Sequence, residues 1–141
     1  MTGKLSQFLC FAVYSANLAF GRAYKPILDA AGLTYTQYIA LVALGEATEH
    51  TVKSLGEKMF LESNTLTPIL KKLEVDGYLV RRRDAADERQ VLVSLTTAGK
   101  ALLDRIDSQP VSDAADLGED FSSVQQTVVR LRDNLLDNTK G

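Results

Sequence analysis

The sequence predicts a mainly α-helical fold with one small β-hairpin. It reads as a winged helix-turn-helix over 51–97, carried between N- and C-terminal helices that form a homodimer interface. Three observations predict this. Two short helical stretches, Thr51 to Met59 and Glu62 to about Asp76, are joined by a brief turn, which is the helix-turn-helix pattern. Two strand-like runs follow, Tyr78 to Arg83 and Val91 to Leu95, linked by the polar tip Asp84-Ala-Ala-Asp-Glu. Apolar residues recur at helical spacing at both ends of the chain. A length of 141 residues suits one domain, 1–141, with dimerisation helices at 1–30 and 98–141.

The elements follow in order. From Leu5 to Tyr24, Leu9, Val13, Ala16, Phe20 and Ala23 fall at helical spacing, with Thr2 or Ser6 as the cap. This helix is apolar nearly all round. In so short a chain that favours burial between subunits over burial in a large core. Pro26 is expected to interrupt it, and Gly32 to stop the short piece beyond. Thr34 to Leu44 reads as the next helix, ended by Gly45. The second helix of the helix-turn-helix has two possible starts. Thr67-Pro68 makes a good cap and first position. Ser63 or Asn64 caps an earlier start, at the cost of a backbone hydrogen bond lost at Pro68. Gly77 ends that helix. His50 falls in a loop, and Tyr78 packs beneath the hairpin. Thr96 or Thr97 caps a helix holding Leu102, Leu103 and Ile106, and Gln109-Pro110 breaks it. From Gly118, Phe121, Val124, Val128, Leu131 and Leu135 mark a last amphipathic helix.

Composition excludes several classes. The chain is 45% hydrophobic and 24% charged, as in an ordinary soluble protein. No apolar run approaches the ~18 residues of a membrane span, and no export signal is visible, so a cytoplasmic protein without a membrane partner is expected. One cysteine, Cys10, and one histidine, His50, exclude an internal disulfide and a cysteine-based zinc site. No metal and no cofactor are expected. The net charge of −2 is unevenly spread: residues 51–100 carry +2 and residues 101–141 carry −4.

That middle section suits a DNA duplex. A helix fits the major groove, and its early residues reach base edges. Here they are Ser63, Asn64, Thr65 and Thr67, all short hydrogen-bonding side chains. Lys71 and Lys72 follow at one to two turns and can meet phosphate. The hairpin carries Arg81, Arg82, Arg83 and Arg89, and a basic hairpin beside a recognition helix can lie along the minor groove.

Leu66-Thr-Pro-Ile-Leu-Lys-Lys-Leu-Glu, Asp76-Gly-Tyr-Leu-Val-Arg-Arg and Asp87-Glu-Arg-Gln-Val-Leu-Val-Ser-Leu-Thr-Thr-Ala-Gly together resemble the multiple antibiotic resistance regulator (MarR) family. The resemblance implies an obligate homodimer with interlocked terminal helices. It also implies that Arg89 enters the minor groove while Asp87 holds a neighbouring arginine. Leu9-Cys-Phe, Tyr14, Tyr24-Lys-Pro-Ile-Leu-Asp and Leu33-Thr-Tyr-Thr-Gln-Tyr are similar to the organic hydroperoxide resistance regulator (OhrR) branch, in its one-cysteine form. That similarity implies a peroxide-sensing Cys10 whose thiolate is held by Tyr14, Tyr24 and Tyr35.

Cys10 and Tyr14 are four residues apart and share a helix face. A tyrosine hydroxyl can donate to a thiolate and so stabilise the nucleophilic form. Tyr24 lies fourteen residues beyond Cys10, ~21 Å along a continuous helix. It can meet Cys10 only in a dimer. The expected function is a redox-sensing repressor of pseudo-palindromic operators, not an enzyme. An organic hydroperoxide would be its inducer, and a low-molecular-weight thiol would cap oxidised Cys10, since no second cysteine exists. Alternatives at this point are a regulator released by a small phenolic or lipophilic ligand, a thiol peroxidase, and a dimeric interaction module without DNA.

Overall fold

The structure is a computed structural model that describes residues 4–139. The chain divides into two compact units, 1–108 and 109–141.

The first unit opens with a single turn, α1 (Lys4–Gln7), and the long α2 (Leu9–Ala31). Phe8 occupies the cap position of α2 in an extended conformation, with no side-chain cap. Ser6, one of the two expected caps, lies inside α1 instead, and the other, Thr2, is outside the described residues. Nor does Pro26 interrupt the helix, which runs through it to Ala31. A proline inside a helix costs ~3 kcal/mol, but the turn beyond it buries Leu28 in the core, with Tyr24 and Ala31 packed alongside. That packing holds the helix on course. Gly32 ends it at φ 72°, the left-handed conformation that a side chain disfavours, and Leu33 N–H closes back on the Leu28 carbonyl at 3.0 Å.

The next helix, α3 (Tyr35–Leu44), starts on a reciprocal cap. Thr34 Oγ1 accepts from Gln37 N–H, and Gln37 Oε1 accepts from Thr34 N–H. A two-residue strand, β1 (His50–Thr51), precedes α4 (Val52–Met59), which Thr51 caps. His50 is thus a strand residue, against the expectation of a loop. Two residues are too few to show alternation, so only the neighbouring strand reveals it. Phe60 turns the chain at φ 59° into α5 (Ser63–Val75). Gly56 makes the turn possible, because a Cβ there would meet the Leu61 carbonyl oxygen at 2.8 Å.

Of the two possible starts for α5, the structure takes the earlier. Leu66, Leu70 and Leu73 are all fully buried on one face, and a start at Thr67 would leave Leu66 off that stripe. Pro68 therefore lies within the helix, and the Thr67 hydroxyl donates to the Ser63 carbonyl at 2.8 Å. Strands β2 (Leu79–Arg83) and β3 (Val91–Leu95) form the hairpin. The sheet order is β1-β3-β2, antiparallel throughout, with His50 and Arg81 flanking Val93. Helix α6 (Thr97–Arg105), capped by Thr96, buries Leu102 in the same core. Leucines from α2 through α6, with Leu79 and Val93 of the sheet, fill that core.

In the second unit, α7 (Gln109–Ala115) begins where a break was expected. Pro110 sits in its first turn, where the missing N–H is not needed. A short 3-10 turn, Gly118–Asp120, leads into α8 (Phe121–Asn138). No single helix among the described residues is long and apolar enough to cross a membrane.

Candidate functional site

Two groups of residues carry chemistry. The first is the face made by α4, α5 and the hairpin. Ser63, Asn64 and Thr65 form the first turn of α5 and are exposed. Their position follows from the buried leucine stripe, which turns the opposite face outward. Glu62 gives this helix no side-chain cap, so its first N–H groups and its positive dipole end remain available to an anion. Thr67 is half-buried, with its hydroxyl committed to Ser63. Lys71 is exposed, and Lys72 pairs with Asp76 at 3.1 Å.

A cleft of about 350 Å³ runs between these helices and the hairpin, lined by Thr51, Val52, Lys53, Ser63, Thr67, Arg81, Arg89, Gln90 and Val91. Sequence reasoning missed Lys53 and Gln90. The signal for Lys53 was its place two residues after the Thr51 cap, at the start of a helix whose role was left unassigned.

The hairpin tip is ordered by its own side chains. Asp84 N–H donates to the Gln90 carbonyl, and Asp84 Oδ1 accepts from Ala86 N–H at 2.9 Å. Asp87 holds Arg89 itself: Oδ1 accepts from Arg89 N–H and from Nε, each at 3.1 Å. These hydrogen bonds hold the Asp87 carboxyl below its ordinary range. The Arg89 side chain is 90% exposed all the same. The other three arginines are engaged elsewhere. Arg81 binds Glu74 on α5 at 3.0 Å, Arg82 binds Glu49 at 2.6 Å, and Arg83 donates to the Glu88 carbonyl at 2.9 Å.

The second group surrounds the thiol. Cys10 is exposed in the first turn of α2, and Tyr14, one turn on, is 60% exposed. Phe11 and Tyr14 lie 6.4 Å apart by ring centroids. Leu5, Phe8, Leu9, Val13, Leu18 and Phe20 are exposed with them. In the second unit, α8 likewise exposes Phe121, Val124, Val128, Leu135 and Leu136. Tyr24 and Tyr35 stack with centroids 5.3 Å apart, and Tyr38 lies 5.3 Å from Tyr24. Burial first, then the neighbouring Tyr24 phenol, push the Tyr35 hydroxyl above its ordinary range; Tyr38 is raised by burial first, then by Tyr24 through charge and a hydrogen bond, with a Ser108 hydrogen bond opposing. Both therefore remain donors at neutral pH. Tyr38 was not among the expected site residues, and its place beside Tyr24 was foreshadowed only by its i,i+3 spacing from Tyr35. The structure unites Tyr24 with Tyr35 but not with Cys10 of the same chain, because α2 is unbroken between them. Among the described residues no cluster of His, Cys, Asp or Glu could hold a metal ion.

The chain matches the model of the family described as transcriptional regulator SarA/Rot over residues 22–106. It is 38% identical over 135 residues to the organic hydroperoxide resistance transcriptional regulator of Bacillus subtilis, covering 94% of this chain and 92% of that one. It is 49% identical over 107 residues to the HTH-type transcriptional regulator TtmR of Methylorubrum extorquens. That match covers 76% of this chain but 55% of TtmR's length. Among solved structures, overoxidised AbfR bound to DNA, AbfR being a Staphylococcus epidermidis protein, is similar with a TM-score of 0.78 and 32% identity. The superposition covers 94% of this chain and 95% of that one.

Proposed function

Because the chain belongs to the SarA/Rot family of MarR-like winged-helix transcriptional regulators, we propose that it is a homodimeric repressor switched by oxidation of Cys10. One observation carries the redox half of this reading. A stacked pair of tyrosine donors, Tyr24 and Tyr35, has no thiol near it, while Cys10 stands exposed ~21 Å away along α2. A second copy, packed on the apolar side chains that α2 and α8 expose, brings the partner's thiol to the tyrosine pair. Exposed apolar surface on that scale marks an interaction site.

In the reduced dimer, the two α5 helices enter successive major grooves, ~34–36 Å apart. The hairpin tips reach the adjoining minor grooves with Arg89. The Cys10 thiolate attacks the outer oxygen of an organic hydroperoxide. The O–O bond breaks, an alcohol leaves after taking up a proton, and Cys10 becomes a sulfenic acid. The negative sulfur that the tyrosine hydroxyls held is lost, the interface shifts, and the spacing of the α5 helices with it. A low-molecular-weight thiol then condenses with the sulfenic acid, forming a mixed disulfide and releasing water. The similarity to a peroxide-resistance regulator and to a DNA-bound AbfR solved in an overoxidised form supports this reading.

The test is duplex binding with and without an organic hydroperoxide, with the oxidised protein weighed intact. Binding should be lost on oxidation, with Cys10 gaining the mass of one small thiol. Cys10→Ser should bind DNA as the native protein does and ignore the peroxide. Release of that variant by peroxide, or by a phenolic ligand, would remove Cys10 from the switch.

A further inference from the structure

Each of the four hairpin arginines has an acceptor in its own chain, but the acceptors differ in kind. Arg83 and Arg89 bind partners inside the hairpin, the Glu88 carbonyl and Asp87. Arg81 and Arg82 reach out of it, to Glu74 on α5 and to Glu49 just before β1. Successive strand side chains point to opposite faces, so the two bridges grip β2 from both sides. The Glu74 contact is the fuller one. Its Oε2 accepts the Arg81 backbone N–H at 3.1 Å, and its Oε1 accepts Nε at 3.2 Å and Nη2 at 3.0 Å. β2 is an edge strand, so this N–H has no strand partner on its outer side. Glu74 takes that place at the residue facing fully buried Val93.

We infer that Glu74 and Arg81 form a positioning clamp that sets the hairpin's angle to α5, so that Arg81 acts on DNA through Arg89 rather than by holding phosphate itself. The inference rests on the DNA-binding reading above and deepens it. The base-reading turn of α5 and the hairpin tip must engage one duplex at the same time. Five strand residues make a lever of about 16 Å, so a tilt of roughly ten degrees at its root moves the tip by about 3 Å. That displacement is enough to break a hydrogen bond. A carboxylate on α5 that takes both the backbone and the guanidinium of one strand residue removes this freedom. The Arg81 hydrogen bonds also hold the Glu74 carboxyl below its ordinary range, so the clamp stays charged at neutral pH.

The test uses the full chain and a duplex that the native protein selects from a random-sequence pool. Affinity is measured over a range of salt for Glu74→Gln, Arg81→Gln and the double variant. A clamp predicts that each single change weakens binding on the order of tenfold, and that the double variant is no weaker than either. The slope of log affinity against log salt should change by the same amount in all three variants, because each frees the same hairpin tip and with it the same Arg89 contact. Two results would overturn the inference. One is a slope shallower by about 1 in Arg81→Gln together with tighter binding by Glu74→Gln, which identifies Arg81 as a phosphate contact. The other is additive losses, which mean the two residues act separately. Should Arg81→Gln fail to melt cooperatively, Glu74→Gln decides alone, since the two roles predict opposite signs. Failure of the native protein to select any duplex strikes the DNA-binding reading itself.

Discussion

Tyr24 on α2 and Tyr35 at the start of α3 lie ring on ring, centroids 5.3 Å apart, across the turn at Gly32. Replacing either with Phe keeps the stacking and removes one hydroxyl. If these hydroxyls hold the partner's Cys10 thiolate, each loss costs a hydrogen bond to a charged group, about 1.5–3 kcal/mol. Tyr24→Phe and Tyr35→Phe should therefore slow Cys10 oxidation on the order of tenfold or more, while reduced protein binds DNA normally. Timed loss of free thiol after peroxide addition measures this. An unchanged rate in both variants would detach the tyrosine pair from the sensor.

Arg89 presents a side chain that is 90% exposed at the hairpin tip. Arg89→Ala should weaken binding to specific and nonspecific duplex alike and lower the salt slope by about 1. Equilibrium titration at several salt concentrations checks this. Native affinity in the variant would mean that the hairpin tip stays out of the groove.

His50 makes stability depend on pH. Neither ring nitrogen finds a hydrogen-bond partner. Burial, with Lys58 adding to it and Glu46 opposing, holds its pKa below the ordinary value. The unfolded chain then takes up the proton first, at ~6.5. Stability should be full above that pH and fall as pH drops through 6.5 toward the folded pKa. The loss can reach at most about 1.4 kcal/mol per pH unit, one proton's worth. His50 is the only histidine in the chain, so denaturation midpoints at pH 7.5 and 5.5 report on it directly. His50→Phe should flatten the difference. An equal decline in that variant would assign the effect elsewhere.

Gly99, in the first turn of α6, has no room for a side chain. A Cβ there would overlap the Tyr78 carbonyl oxygen, the acceptor for Thr96 N–H at 3.1 Å. Gly99→Ala must push α6 off the hairpin root and should cost about 1–3 kcal/mol. The native denaturation midpoint in this variant would show that the contact yields freely.

The helix-turn-helix, the hairpin and the apolar end helices were legible because periodicity and turn chemistry are local properties. The buried stripe Leu66, Leu70 and Leu73 is spaced along one segment, and Thr34, Thr51 and Thr96 cap with their own side chains. Pro26 was misread for the opposite reason. Whether Pro26 ends a helix depends on what the next turn buries, and Leu28 finds its core only when α3 is in place. The pairing of β1 was equally invisible, because two residues become a strand only beside Val93 and Leu92.

The same division applies to the site. The sequence by itself determined that one thiol exists, that Tyr14 shares its helix face, and that Tyr24 lies beyond its reach in one chain, because helix rise converts residue number into distance. Only the tertiary structure decided that Tyr24, Tyr35 and Tyr38 gather into one cluster and that Arg81 belongs to Glu74. Both depend on contacts between separate elements, and such contacts form only when the buried leucines bring those elements together.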